Sequence, residues 1–166
     1  MTEPLVIDSL EFARSGQQLQ GTVAVAQLRR LADNLFDTAG ELKYALTGGT
    51  DADRRPRLEI RADGKINLRC QRCLGPVVYP VLVASSLLVL GTDAGGETAK
   101  FDDLDAVPAD PSTDVLALVE DEVLLAIPFS PRHAEGQCSV VVANEPETAI
   151  SPFAVLARLK HDKLQN

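Results

Sequence analysis

Between positions 57 and 70 apolar and polar residues alternate. Leu58 and Ile60, then Ile66, Leu68 and Cys70, are separated by Arg57, Glu59, Arg61, Lys65, Asn67 and Arg69. A period of two is the signature of a half-buried strand. Ala62-Asp63-Gly64 interrupts the run, and a three-residue loop with Gly64 in the left-handed position predicts a β-hairpin. Its register pairs Ile60 with Ile66, Leu58 with Leu68 and Arg61 with Lys65. Arg57, Arg61, Lys65 and Arg69 then share one face, with Glu59 its only acid.

The other elements follow from the same kind of reading. Residues 5–10 and 21–26 are short strand candidates. Leu28, Leu31, Leu35 and Phe36 recur at helical spacing, which predicts a helix over 27–38, ended by Gly40 just past it. A strand over 41–47 and a loop over 48–56 lead into the hairpin. Gly75-Pro76 turns the chain, and 77–90 continues as one or two further strands. Residues 92–111, rich in Asp, Gly and Ala, read as an acidic mobile loop. Ser112 or Thr113 caps a helix running to Ile127, which Pro128 and Pro131 stop. Ser151-Pro152 opens a short amphipathic helix carrying Phe153, Leu156 and Leu159. The expected fold class is α+β: a mainly antiparallel β-sheet with packed helices and a short C-terminal helix. It is read as a single domain over 1–150, with a helical segment over 151–166.

Composition narrows the class. An apolar fraction of 45% over 166 residues supports a buried core. The longest apolar run, 77–90, falls short of the roughly 20 residues a membrane helix needs. The Met1-Thr2-Glu3-Pro4 start lacks the charged and apolar regions of a signal peptide. A soluble, cytoplasmic protein without membrane partners is therefore expected. The net charge of −8 is unevenly placed: 91–131 carries −9, whereas 1–90 carries +1. A basic face remains open to the rest of the chain.

Cys70-Gln71-Arg72-Cys73-Leu74-Gly75 resembles half of a zinc knuckle, because two thiolates two residues apart can reach one tetrahedral ion. His133 and Cys138 are the candidates for the remaining ligands, giving a Cys3His set with zinc as the implied ion. Two further readings stand beside it. A redox pair would need Cys70 at a helix N-terminus, and the motif instead follows a strand. Thiols that hold no metal are the plainer alternative.

The hairpin face, extended by Arg72, has the form of a phosphate-contacting ribbon built from Arg57, Arg61, Lys65, Arg69 and Arg72. A solvated face that protects an edge strand would look the same. No Phe, Tyr or Trp lies within 57–70, which favours recognition of the backbone or shape of folded RNA over base stacking. Glu120-Asp121-Glu122 interrupts the apolar helix, and at least one of these carboxylates must turn inward, to be capped or paired with an arginine. No Ser-His-Asp set, phosphate-binding glycine loop or H-E-x-x-H motif is present, so a non-catalytic protein without a small-molecule substrate is expected.

Several segments together resemble the YceD family. They are Cys70-Gln71-Arg72-Cys73, the run from Asp114 to Pro128, then Pro131, His133 and Cys138, and the stretch from Pro152 to Lys160. The resemblance implies a factor needed for large-subunit (23S) ribosomal RNA to accumulate, through its synthesis, processing or stability. The implied partner is large-subunit rRNA or a pre-ribosomal particle. Some members of the family carry a second cysteine cluster and are described as metal-binding; this chain has Cys138 there, with His133 nearby. A rival reading is a protein-interaction module in which Asp102, Asp103 and Asp105 attract or shield a basic ribosomal protein.

Overall fold

The computed structural model describes residues 5–91 and 105–138. Asp102 and Asp103, with most of the predicted acidic loop, lie outside the described residues, as does the predicted helical segment 151–166. The architecture is α+β. A five-stranded sheet has the order β2 (Gln18–Ala24), β3 (Glu41–Thr50), β4 (Pro56–Arg69), β5 (Pro76–Leu90), β6 (Ala106–Pro108). Its first four strands form an antiparallel meander, and β6 joins parallel to the end of β5. A two-stranded ribbon pairs β1 (Val6–Ile7) with β7 (Thr113–Asp114).

The predicted hairpin does not form. β4 is one 14-residue strand, paired along one side with β3 and along the other with β5. The reason lies in the parity of its residues. Leu58, Ile60, Ala62, Gly64, Ile66 and Leu68 all turn to the same inner face, so the alternation never breaks phase. Gly64 is there for space. It lies opposite Leu42, and a Cβ on it would come within 2.6 Å of Leu42 Cδ2 and 2.8 Å of the Glu41 carbonyl oxygen.

β5 is likewise a single strand of 15 residues. Pro76 and Pro80 are tolerated because, among the described residues, β6 pairs only with Leu88–Leu90 and no strand lies beside either proline on that edge.

The predicted helix over 27–38 is replaced by two 3₁₀ segments, Val25–Gln27 and Arg29–Asn34, after which the chain leaves extended. Both ends are fixed. Val25 N–H donates to the Gly40 carbonyl, and Leu35 bridges antiparallel to Leu68 with Phe36 N–H donating to Asn67 O at 2.8 Å. Leu28, Leu31 and Leu35 are buried as the spacing requires, but Phe36 is not. Where a strand was expected over 5–10, β1 is followed directly by α1 (Ser9–Ser15), capped by the Asp8 carboxylate and ended by Gly16 at φ 65°.

α2 (Val115–Ala126) is capped by Asp114 rather than by Ser112 or Thr113: the Asp114 carboxylate accepts from the N–H groups of Leu116 and Ala117. α1 and α2 cover one face of the sheet. Leu42, Leu46, Leu58, Ile60, Ile66 and Leu68 from the strands meet Val115, Val119 and Val123 from α2 in one core. Each such aliphatic side chain contributes about 1.5–3 kcal/mol on burial. Among the described residues no helix covers the other face of the sheet.

Candidate functional site

β4 ends at Arg69, and the next residue, Cys70, is fully buried at the start of a tight turn. Leu74 N–H donates to Cys70 O and Cys70 N–H to Gly75 O, both at 2.9 Å, closing the turn before β5 begins. Gln71 N–H donates to Pro131 O at 2.9 Å, which fastens the turn to the segment beyond α2. The Arg72 guanidinium holds the same segment through the carbonyl of His133 at 2.7 Å and that of Ala134 at 3.4 Å.

These contacts bring His133 and Cys138 against Cys70 and Cys73. The four donor atoms lie within 4.8 Å of one another. Cys70 Sγ is 3.7 Å from Cys138 Sγ, and His133 Nδ1 is 3.4 Å from Cys73 Sγ and 3.7 Å from Cys138 Sγ. A zinc ion with ordinary bond lengths and tetrahedral angles needs sulfur–sulfur edges of about 3.8 Å and sulfur–nitrogen edges of about 3.6 Å. The described edges fit that figure, and three sulfurs with one imidazole form a donor set suited to zinc. His133 Nε2 lies 2.8 Å from Pro76 O, an acceptor only, so Nε2 donates there and Nδ1 is the nitrogen that faces the sulfurs.

The electrostatics of the thiols are uneven. Burial opposes ionisation of Cys70, but the N–H groups of Cys73, Arg72 and His133 and the Cys73 thiol prevail, bringing its pKa down to about 5. Burial pushes the Cys138 thiol up, as do its bonds to Cys70 and Cys73, with the Arg72 charge acting the other way. All three cysteines are free thiols.

The sheet face opposite the helices carries the predicted basic residues. The odd-numbered positions of β4 point outward, so Arg57, Arg61, Lys65 and Arg69 do share a face, although without a hairpin. Asp63 shares it too, which corrects the expectation that Glu59 is its only acid. Arg57 is ion-paired with Glu59, and Arg72 is committed to the segment around His133. Among the described residues Arg61 and Lys65 have no ion pair, nor does Lys43, which β3 places opposite Asp63 and diagonal to both. The outward positions of β2–β5 hold five cations against three acids, in a chain of net charge −8.

Residues 58–160 match the family described as Large ribosomal RNA subunit accumulation protein YceD. The chain belongs to the YceD family. Its YceD-matching region begins inside β4 and takes in Arg61, Lys65, Arg69 and the four residues Cys70, Cys73, His133 and Cys138. The Large ribosomal RNA subunit accumulation protein YceD of Haemophilus influenzae is 27% identical over 174 residues, covering 95% of each chain. No solved structure matches.

Two further features of this YceD-family chain bear on the prediction. Residues 105–111, expected as mobile loop, include β6, and the exposed Asp105 accepts Leu88 N–H on its backbone carbonyl at 2.9 Å. Glu120 and Glu122 of the acidic triplet are both buried, while Asp121 is exposed. Glu120 accepts from Arg30 N–H at 2.6 Å, Leu31 N–H at 3.2 Å and Arg30 Nε at 3.0 Å, which ties α2 to the 3₁₀ segment Arg29–Asn34. Reading the sequence missed Lys43 and Phe36 as neighbours of the basic face. Lys43 carried a signal, since it alternates with Leu42, Tyr44 and Leu46; Phe36 carried one that pointed to the core.

Proposed function

We propose that this protein is a non-catalytic factor that supports accumulation of large-subunit (23S) rRNA, through its synthesis, processing or stability, by contacting that RNA. Family membership supports the ribosomal part of the reading. The contact itself rests on one observation: among the described residues Lys43, Arg61 and Lys65 stand without an ion pair on the exposed sheet face, with Arg69 at its end. Unpaired lysines and arginines on a stiff sheet meet a phosphate backbone without first losing an internal partner. Arg57 and Arg72 are secondary in this reading, since both are engaged within the protein.

The Cys3His group is read as a structural zinc site. Cys70, Cys73, His133 and Cys138 would hold the ion, and four protein ligands leave no open position for substrate. The ion would supply cross-linking, tying the end of β4 to the segment after α2. Arg72 then offsets the negative charge that three thiolates leave on the site.

The test is the salt dependence of binding between the purified protein and large-subunit rRNA fragments. Each phosphate contact adds about 0.7–0.9 to the slope of log affinity against log salt. Charge reversal at Lys43, Arg61 and Lys65 is expected to lower the slope by about 2 and weaken binding in proportion. An unchanged slope defeats the RNA contact. Recovery of a basic ribosomal protein bound through Asp105 and its acidic neighbours Asp102 and Asp103 would then favour the interaction module.

A further inference from the structure

The strand-paired course of Leu35–Phe36 changes what the basic face can recognise. Leu35 bridges Leu68 on the core side and is 2% exposed, so Phe36 stands across from Asn67 on the outward side, 44% exposed. Asn67 in turn pairs with Val78, which is 64% exposed. An aromatic ring, an amide and an aliphatic side chain thus form a row across three strands. Cations flank this row. Lys65 lies two residues before Asn67 along β4, and Arg69 two residues after it, with its guanidinium 3.5 Å from the carbonyl of Leu35. Pro76 and Pro80, opposite Arg69 and Lys65, extend the apolar surface without adding charge.

The geometry points to a stacking platform for single-stranded RNA, centred on Phe36, with Lys65 and Arg69 taking the phosphates on either side of the stacked base. This rests on the RNA reading proposed above and narrows its substrate to unpaired nucleotides. The chemistry is specific. A base can stack on a half-exposed ring only after leaving its own stack, so a duplex gains nothing from it. Asp37 keeps its negative charge beside the row, its carboxylate accepting from Asn67 Nδ2 at 3.0 and 3.1 Å, and Lys65 and Arg69 on either side of that asparagine offset it. Asp63 is the nearest acid along β4, and Lys43, Arg61 and Lys65 surround it.

The experiment compares binding of a short labelled single-stranded RNA and a duplex of the same composition. The proteins are the full chain, Phe36→Leu, Phe36→Trp and Lys65→Glu. Phe36→Leu keeps apolar bulk at a half-exposed position, and thermal unfolding of each variant checks that the fold is retained. Phe36→Leu is expected to weaken single-strand binding by about 5- to 100-fold, leaving duplex binding and the salt slope unchanged, and Phe36→Trp to restore it. If Phe36→Leu binds like the parent while Lys65→Glu weakens binding, stacking is overturned and the phosphate reading stands. If neither RNA form binds the parent, both readings fall and the face belongs to a protein partner.

Discussion

Cys70 and Cys138 are separated by 68 positions in the chain, and their sulfurs lie 3.7 Å apart. Nothing local holds them there. The contact depends on the turn after β4 and the segment after α2 meeting through Gln71 N–H and Pro131 O. A metal ion between them would convert this meeting into a cross-link.

The protein as isolated is therefore expected to contain one zinc per chain by elemental analysis. Cys70→Ser or His133→Ala should lower zinc affinity by more than about tenfold, since even supporting groups around a metal contribute that much. Chelation should speed hydrogen exchange at Gln71 N–H and leave the β3–β4 amides protected. Full-length protein that carries no zinc, and takes up none at stoichiometric concentration, would contradict the site.

Gly64 gives a test of the sheet. Gly64→Ala should cost about 1–3 kcal/mol in urea unfolding, because the added Cβ meets Leu42 and the Glu41 carbonyl. Inserting one alanine after Asp63 is a sharper probe. In a continuous strand it turns Ile66, Leu68 and Cys70 to solvent and should abolish cooperative unfolding. A hairpin loop would absorb the insertion with little loss.

Glu120 should matter more than the arginine it pairs with. Glu120→Ala strips acceptors from the N–H groups of Arg30 and Leu31 and is expected to cost about 2–4 kcal/mol. Arg30→Ala leaves both backbone bonds to Glu120 in place, and the arginine side chain is 48% exposed, so its cost should stay near or below about 1 kcal/mol. Parallel denaturant titrations of the two variants decide the order.

What could be read from the sequence was the parity of side chains, and what could not was which segments become neighbours. The inward set of β4 was legible, yet Asp63-Gly64 carries a strong turn signature, and only the facing Leu42 shows that the glycine serves close approach instead. Leu28, Leu31 and Leu35 fit a helical stripe as well as they fit two 3₁₀ turns and an exit strand. The choice is made by partners distant in sequence, Glu120 on the N–H groups of Arg30 and Leu31 and Leu68 beside Leu35. That misreading also hid Phe36, assigned to the buried stripe and found on the open face. The short α1 was missed although Asp8 and Gly16 bracket it, because 7 residues hold too few apolar positions to show a period.

The candidate metal set was legible as residue types, since a C-x-x-C following a strand restricts the chemistry. Its geometry was not. His133 and Cys138 belong to the site only because α2 ends beside β5, where Tyr79 Oη donates to Ala126 O at 3.0 Å. The basic face was legible as a row on one strand. Its division into free and engaged cations was not, because Arg57 and Arg72 find their partners only in the folded chain.

The most direct test of the central claim is crosslinking of the tagged protein to RNA in living cells, followed by sequencing of the attached RNA. The parent protein is expected to give discrete peaks in large-subunit rRNA that disappear when Lys43, Arg61 and Lys65 are reversed in charge. Absence of large-subunit rRNA from the parent's crosslinks, or peaks that survive the charge reversal unchanged, would contradict the account.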